Sequence, residues 1–290
     1  MAREFVITTE TNTDLSLSYL QENKIGVIPH YYTVEEEVYG GGRELTIQEF
    51  YQEMRNGKKV GTMASNPAVI EEVFTAYAKE GKDILHISFS GNLSCGCANV
   101  QMVANEVMEA YPEMKIIVVD TLSVSLGEGM MIAKALELQA EGKSIEETAA
   151  VIEELLPHIC VQFTVDDLEY LYRGGRVSKT TAVVASIVNI KPILYVNEEG
   201  KLVSLDKVRG RQQSIKKLVE NMKARIGEWR DKQIFVGVVH GDCEADAQKL
   251  ADLVRAELGD VKIVMEPVGP SIGAHSGPGA LGLLFLGEKK

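Results

Sequence analysis

The sequence predicts an α/β protein of two domains, the first with a mainly parallel sheet flanked by helices, the second mixed. Three observations carry this. Short aliphatic runs alternate with helical stretches through the first half, and strand, polar loop and helix in repetition imply parallel pairing. The second half holds two strand-like runs, 191–196 and 201–205, around Asn197-Glu-Glu-Gly200, which reads as an antiparallel hairpin. The chain of 290 residues exceeds one typical domain.

In order, residues 5–8 read as a strand, and Asp14 as the N-cap of a helix reaching about Leu20. Residues 25–34 read as another strand, with Pro29 placing it at an edge or a bulge. Thr46 and Glu49 form a capping box that opens a helix to about Met54. Asn66 before Pro67 starts a helix to about Lys79. The repeating units follow: strand 84–88 with helix 95–110, then strand 115–119 with helix 127–140. Ser144 and Glu147 cap one more helix, which ends near Pro157. The second half opens with strand 159–164 and a short helix over 166–172, closed by Arg173-Gly-Gly-Arg176. An apolar helix is expected over 180–188. The hairpin, a basic helix over 210–226, and a βαβ unit (234–239, 244–258, 261–265) come next. The run 280–286 reads as a buried strand. A boundary near residue 160 divides the chain into 1–160 and 161–290.

The net charge is −12. Such a surface repels phosphate backbones and anionic headgroups, which argues against nucleic acid and against stable membrane insertion. No apolar run reaches spanning length, and the N-terminus has no secretory pattern, so a cytoplasmic protein is expected. The four cysteines include one close pair, Cys95 and Cys97, without the ligand spacing of a structural zinc site. No cofactor or metal is expected.

Ligands of open α/β sheets sit beyond the carboxyl ends of the strands, so the polar loops there are the candidates. They are 62–65, 88–94, 120–125 and 240–242. Three of them carry clustered hydroxyls, and helix N-termini favour anions. The same residues serve equally well as caps and turn formers. The glycine-rich segment 269–279 presents His275 beside the apolar run 280–286, a setting for a small anionic head and a greasy body. Arg173-Gly-Gly-Arg176 could grip a carboxylate or phosphate, or could simply stop a helix. The segment 207–211 raises the same choice. Nucleophile elbow, zinc-protease and Walker motifs are absent. Ser94, His275 and Asp120 are the residue types of a triad, but sequence alone does not bring them together.

The chain resembles the DegV family of bacterial fatty acid-binding proteins. The likeness rests on Thr9-Glu-Thr-Asn-Thr-Asp-Leu15, Thr62-Met-Ala-Ser-Asn-Pro67, Ile87-Ser-Phe-Ser-Gly-Asn-Leu-Ser94 and Asp120-Thr-Leu-Ser-Val-Ser-Leu-Gly127. Leu168-Glu-Tyr-Leu-Tyr-Arg-Gly-Gly-Arg-Val-Ser178, Lys191-Pro-Ile-Leu194 and His275-Ser-Gly-Pro-Gly279 complete it. In order along nearly the whole chain, these motifs are specific. The resemblance implies a long-chain fatty acid, such as palmitate, in a tunnel or cleft between the two domains. It also implies a role in lipid transport or fatty acid metabolism. The protein would be a non-catalytic carrier that presents the acid to a fatty acid kinase subunit. Thr62 and Ser94 would bind the carboxylate with His275 nearby. Arg209 is the arginine expected to join them, with Arg211 the other choice. The alternative is a hydrolase or an acyl- or phosphoryl-transfer enzyme using Ser94 and His275. Two departures stand out: Cys95-Gly-Cys97 follows Ser94, and Met63 replaces the second hydroxyl residue of the Thr-Ser pair.

Overall fold

The computed structural model describes residues 3–178 and 189–290, so the apolar helix expected over 180–188 lies outside the described residues. The chain starts with β1 (Phe5–Glu10), α1 (Leu17–Glu22) and β2 (Gly26–Ile28). Asp14 does not cap α1. It sits at a positive φ of 55°, and Ser16 caps instead, its Oγ accepting from the Tyr19 N–H at 3.3 Å. The strand expected over 25–34 breaks at Pro29, which cannot donate to a ladder. Beyond the break come β3 (Tyr31–Val34), β4 (Glu37–Tyr39), α2 (Ile47–Arg55) and β5 (Val60–Met63). These three strands form an antiparallel sheet of order β4-β3-β5 that the sequence reading did not anticipate.

The repeating units appear as expected: α3 (Pro67–Lys79), β6 (Asp83–Ser88), α4 (Gly96–Ala110), β7 (Ile116–Asp120), α5 (Leu126–Ala140) and α6 (Ile145–Leu155). The caps at Thr46, Asn66 and Ser144 all form, two of them as complete capping boxes. The parallel sheet has the order β2-β1-β6-β7.

The second half supplies β8 (Ile159–Thr164), α7 (Glu169–Arg173), β9 (Ile190–Val196), β10 (Leu202–Arg209) and α8 (Arg211–Ile226). It continues with β11 (Val236–His240), α9 (Glu244–Leu258), β12 (Ile263–Pro267), α10 (Pro270–Ser276) and β13 (Leu281–Leu286). Its sheet is mixed, in the order β10-β9-β8-β13-β11-β12, with only β11 and β12 parallel. The segment expected as a glycine-rich loop is thus largely the short helix α10, started by Pro270.

One helix joins the two large sheets. The first turns of α5 are buried on every side, from Leu126 through Ile132, as befits a helix with protein all round it. A Cβ on Gly127 would come within 3.2 Å of Ile159 and Val161 of β8, and one on Gly129 within 3.0 Å of Leu15. The two glycines cost the helix about 1 kcal/mol each relative to alanine. In return they let it lie flat between the layers. The resulting core includes Leu85 and Ile87 of β6, Met130 and Met131 of α5, Val161 of β8 and Leu284 of β13. Among the described residues no helix is long and apolar enough to cross a membrane.

Candidate functional site

Residues that follow β1, β2, β6 and β7, among them Asn12, His30, Ser94 and Ser125, meet residues of the mixed sheet around a cavity of about 330 Å³. One set of its walls is polar: Asn12, His30, Thr62, Ser94, Arg176 and His275. The other is apolar and comes from the mixed sheet and its neighbours, including Val161, Phe163, Val239, Ile272 and Leu284.

Thr62 stands on β5, and His275 on the last turn of α10. Their side chains meet, Oγ1 to Nε2, at 2.9 Å. The imidazole is half-buried, and desolvation, with the charge of Arg176 second, lowers its pKa to about 4. It is therefore neutral near pH 7, with one ring N–H to give. A carboxylate can only accept hydrogen bonds. Thr62 can donate to one while still bonded to His275 if Nε2 carries the ring proton and Thr62 Oγ1 accepts it. An anionic ligand on Thr62 therefore calls for the Nε2–H tautomer of His275.

Ser94 is held at the entry to α4. Its Oγ accepts from the Gly96 N–H at 3.1 Å, which leaves the hydroxyl proton to donate. The loop that carries it is fixed at both ends. At its start, the buried Glu10 carboxylate accepts from Ser88 Oγ at 3.1 Å and from the Phe89 N–H at 3.2 Å. Burial pushes this carboxyl up, but the attraction of His86, 3.6 Å away, and the Phe89 N–H bring it below the usual range. Further along, Ser90 Oγ donates to the Gly200 carbonyl at 2.9 Å, and Asn92 to the Glu199 carbonyl at 2.8 Å. The tip of the β9–β10 hairpin thereby holds the Ser94 loop.

Arg176 closes the same loop. Its Nε and Nη2 donate to the Leu93 carbonyl at 3.1 and 2.9 Å, and Nη1 donates to the Gly174 carbonyl. The Arg-Gly-Gly-Arg sequence explains how it gets there. A Cβ on Gly174 would collide with His275 Nδ1, so the first glycine lets the imidazole pack against the end of α7. Gly175 turns the chain at φ 72°. Arg176 then folds back to the cavity, where burial lowers its pKa, the nearby Cys95 opposing.

Of the residues expected at the site, Thr62, Ser94 and His275 border one cavity. Arg209 does not join them. It is exposed at the end of β10, opposite Ile190, and is not part of the cavity wall. Arg211 is also elsewhere, bonded to Asp246 at 2.9 Å and to the Gly279 carbonyl at 2.8 Å. The arginine at the cavity is Arg176, whose signal was the Arg-Gly-Gly-Arg run itself. The triad does not assemble: His275 bonds Thr62, and the Asp120 carboxylate accepts from the Gly91 and Leu122 N–H groups. The loop 240–242 is structural, since His240 Nδ1 accepts from the Cys243 N–H and Asp242 pairs with Arg55.

Sequence reasoning missed a buried polar layer beneath the cavity. His86 Nδ1 and Thr8 Oγ1 are 2.9 Å apart, and Thr9 Oγ1 donates to Glu128 Oε1 at 2.5 Å. Burial first, and the Glu10 charge second, push the Glu128 carboxyl well above the usual range. That setting favours its neutral form. His30, on the cavity wall, bonds Ser65 Oγ at 2.9 Å through Nε2.

Comparison with known proteins follows the same line. A family model described as "Uncharacterised protein, DegV family" matches residues 4–288. A DegV domain-containing protein of Clostridium perfringens is 36% identical over 291 residues, covering 99% of both chains. One from Streptococcus pyogenes serotype M3 is 34% identical over 286 residues, covering 98% of each. Among solved structures, a Thermus thermophilus DegV family protein described by its fatty acid binding superposes with a TM-score of 0.86. It is 26% identical and covers 98% of this chain and 99% of its own. A Thermotoga maritima protein, whose structure is described as revealing a fatty acid binding function, gives 0.84 at 26% identity, with the same coverage. Sequence, fold and the ordered site motifs agree, and the chain belongs to the DegV family.

Proposed function

We propose that the protein binds a long-chain fatty acid, such as palmitate, in the cavity between an N-terminal domain (1–160) and a C-terminal domain (161–290). One observation supports this above the rest: the Thr62, His275, Ser94 and Arg176 side chains border the same cavity as apolar residues of the mixed sheet. Hydroxyl donors and a guanidinium suit a carboxylate, and the apolar wall suits its tail. An unpaired carboxylate would lose several kcal/mol on leaving water. Each buried methylene returns about 0.8 kcal/mol, so the tail dominates affinity while the head sets orientation. The description of the Thermus and Thermotoga neighbours as fatty acid binders points the same way.

In this reading the protein is a cytoplasmic, non-catalytic carrier that presents the acid to a fatty acid kinase subunit. The hydrogen bonds of His275 with Thr62 and of Ser94 with the Gly96 N–H, rather than with each other, argue against the nucleophilic alternative. Denaturing mass spectrometry of the purified protein should release about one long-chain acid per chain. Purified protein that carries none, and takes up none when offered palmitate, sinks the reading. The carrier role is separately open to test: a fatty acid kinase subunit with ATP should convert the bound acid to its acyl phosphate, and failure with free acid turned over equally well would remove it.

A further inference from the structure

We propose that the acid enters this site together with a proton, and that the His30 imidazole receives it. The inference rests on the fatty acid reading and adds to it a charge partner outside the Thr62–His275 pair. His30 follows β2, is buried, and reaches the cavity wall. Its backbone N–H donates to Thr11 Oγ1 at 3.0 Å, and its Nε2 meets Ser65 Oγ at 2.9 Å. Ser65 is held in turn, its carbonyl accepting from Asn99 Nδ2 at 3.0 Å.

These groups converge at the start of α4. A Cβ on Gly96 would lie 3.4 Å from Ser94 Oγ, 3.5 Å from Glu10 Oε1 and 3.5 Å from Ser65 Oγ. One small volume thus joins a head-group donor, a buried carboxylate and the hydroxyl that holds His30. A fatty acid carboxylate on Ser94 would be the second negative charge there, in surroundings with little water to screen it. Glu10 cannot balance it, because the two charges have the same sign.

The two imidazoles of the cavity wall differ in what they face. His275 lies beside the Arg176 guanidinium, which opposes a further positive charge. His30 faces the Glu10 carboxylate, which favours one, and His86, which opposes it. Glu128, on the far side of Glu10, favours its neutral form. Without an anion beside it, His30 is held below the usual histidine range, by burial first, and is neutral near pH 7. A carboxylate on Ser94 adds an attraction of the same sign as that of Glu10 and drives the ring towards imidazolium. Nε2–H then donates to Ser65 Oγ, as His275 would donate to Thr62.

The probe is laurate, offered to delipidated protein. Calorimetric titration at pH 7 in buffers of differing ionisation enthalpy counts the protons taken up, and nitrogen-15 spectra of histidine-labelled protein report on the His30 ring directly. Wild type should take up about one proton per laurate, and Kd should rise about tenfold per pH unit around pH 7. Both ring nitrogens of His30 should move to imidazolium positions. His30→Gln keeps a side chain able to bond Ser65; it should still bind laurate, take up no proton and lose the pH dependence. Laurate binding to wild type without proton uptake, or with a His30 ring that stays neutral, overturns the proposal and leaves the fatty acid reading intact. Uptake undiminished in His30→Gln does the same, since the proton would then sit elsewhere. Wild-type protein that binds no laurate overturns both.

Discussion

Thr62→Val is the sharpest probe of the head group. It keeps the branched shape and removes one hydroxyl. Two interactions are lost: the 2.9 Å bond to His275 and the proton that Thr62 would offer the carboxylate. A hydrogen bond to a charged group contributes about 1.5–3 kcal/mol, which corresponds to about a 10- to 150-fold rise in Kd. At about 0.8 kcal/mol per methylene, that equals removing about two to four carbons from the tail. Calorimetric titration of delipidated protein with a saturated series should therefore show Thr62→Val binding palmitate as wild type binds a shorter acid. The slope of affinity against chain length should be unchanged, since the apolar wall is untouched. A Kd for palmitate within twofold of wild type refutes the donor chain from His275 through Thr62 to the acid. A changed slope refutes the separation of head from tail.

Further tests address the arginine, a buried acid and the His275 turn. Arg176→Gln should weaken palmitate binding by about 2 kcal/mol, whereas Arg209→Gln should leave the same titration unmoved; the reverse pattern would restore Arg209 to the site. Asp14 is pushed up to about 7, by burial first and with Glu266 adding to it, against bonds from Ser125 Oγ and the Gly269 N–H. A folded-state pKa above the unfolded one means that the stability Asp14 contributes is fully present below about pH 4 and is lost as pH rises to about 7. The stability of Asp14→Asn relative to wild type, followed by urea unfolding, should climb across that window and level off above it. A difference independent of pH would show that Asp14 stays ionised throughout. Gly277 follows His275 at φ 76°, and a Cβ there would strike the Tyr170 ring. Gly277→Ala should destabilise the protein by at least about 1–2 kcal/mol in the same unfolding measurement, and an unchanged midpoint would contradict the packing.

The parallel sheet and its caps were readable because their signals are local. A capping box or an Asn-Pro start needs four residues, and the repeated strand–helix spacing needs about thirty. The sheet β4-β3-β5 was not readable, because its pairing joins Tyr31–Val34 to a short strand with glycine and threonine at its centre. Thr62 was found as part of a hydroxyl-bearing loop, yet it stands on that strand. The choice between Arg176 and Arg209 turned on the direction of two side chains. Arg209 ends a hairpin strand facing solvent, and Arg176 is turned inward by two glycines. Composition says nothing about either. His86 and Glu10 gave no warning for a different reason: β6 is buried on every residue and β1 on all but Val6, so neither strand has a polar face against which a buried polar group would stand out.

The Thr62–His275 bond joins residues 213 positions apart. Contacts of such separation are entropically the hardest to close and tend to slow folding. The two sides of the proposed head-group site come from distant parts of the chain, so on the fatty acid reading a nascent or truncated chain has no place to put a free acid. On that reading, lipid capture would report on completed folding. By mass action, a ligand that recognises only the assembled site stabilises the whole chain by an amount that grows with the logarithm of its free concentration relative to Kd.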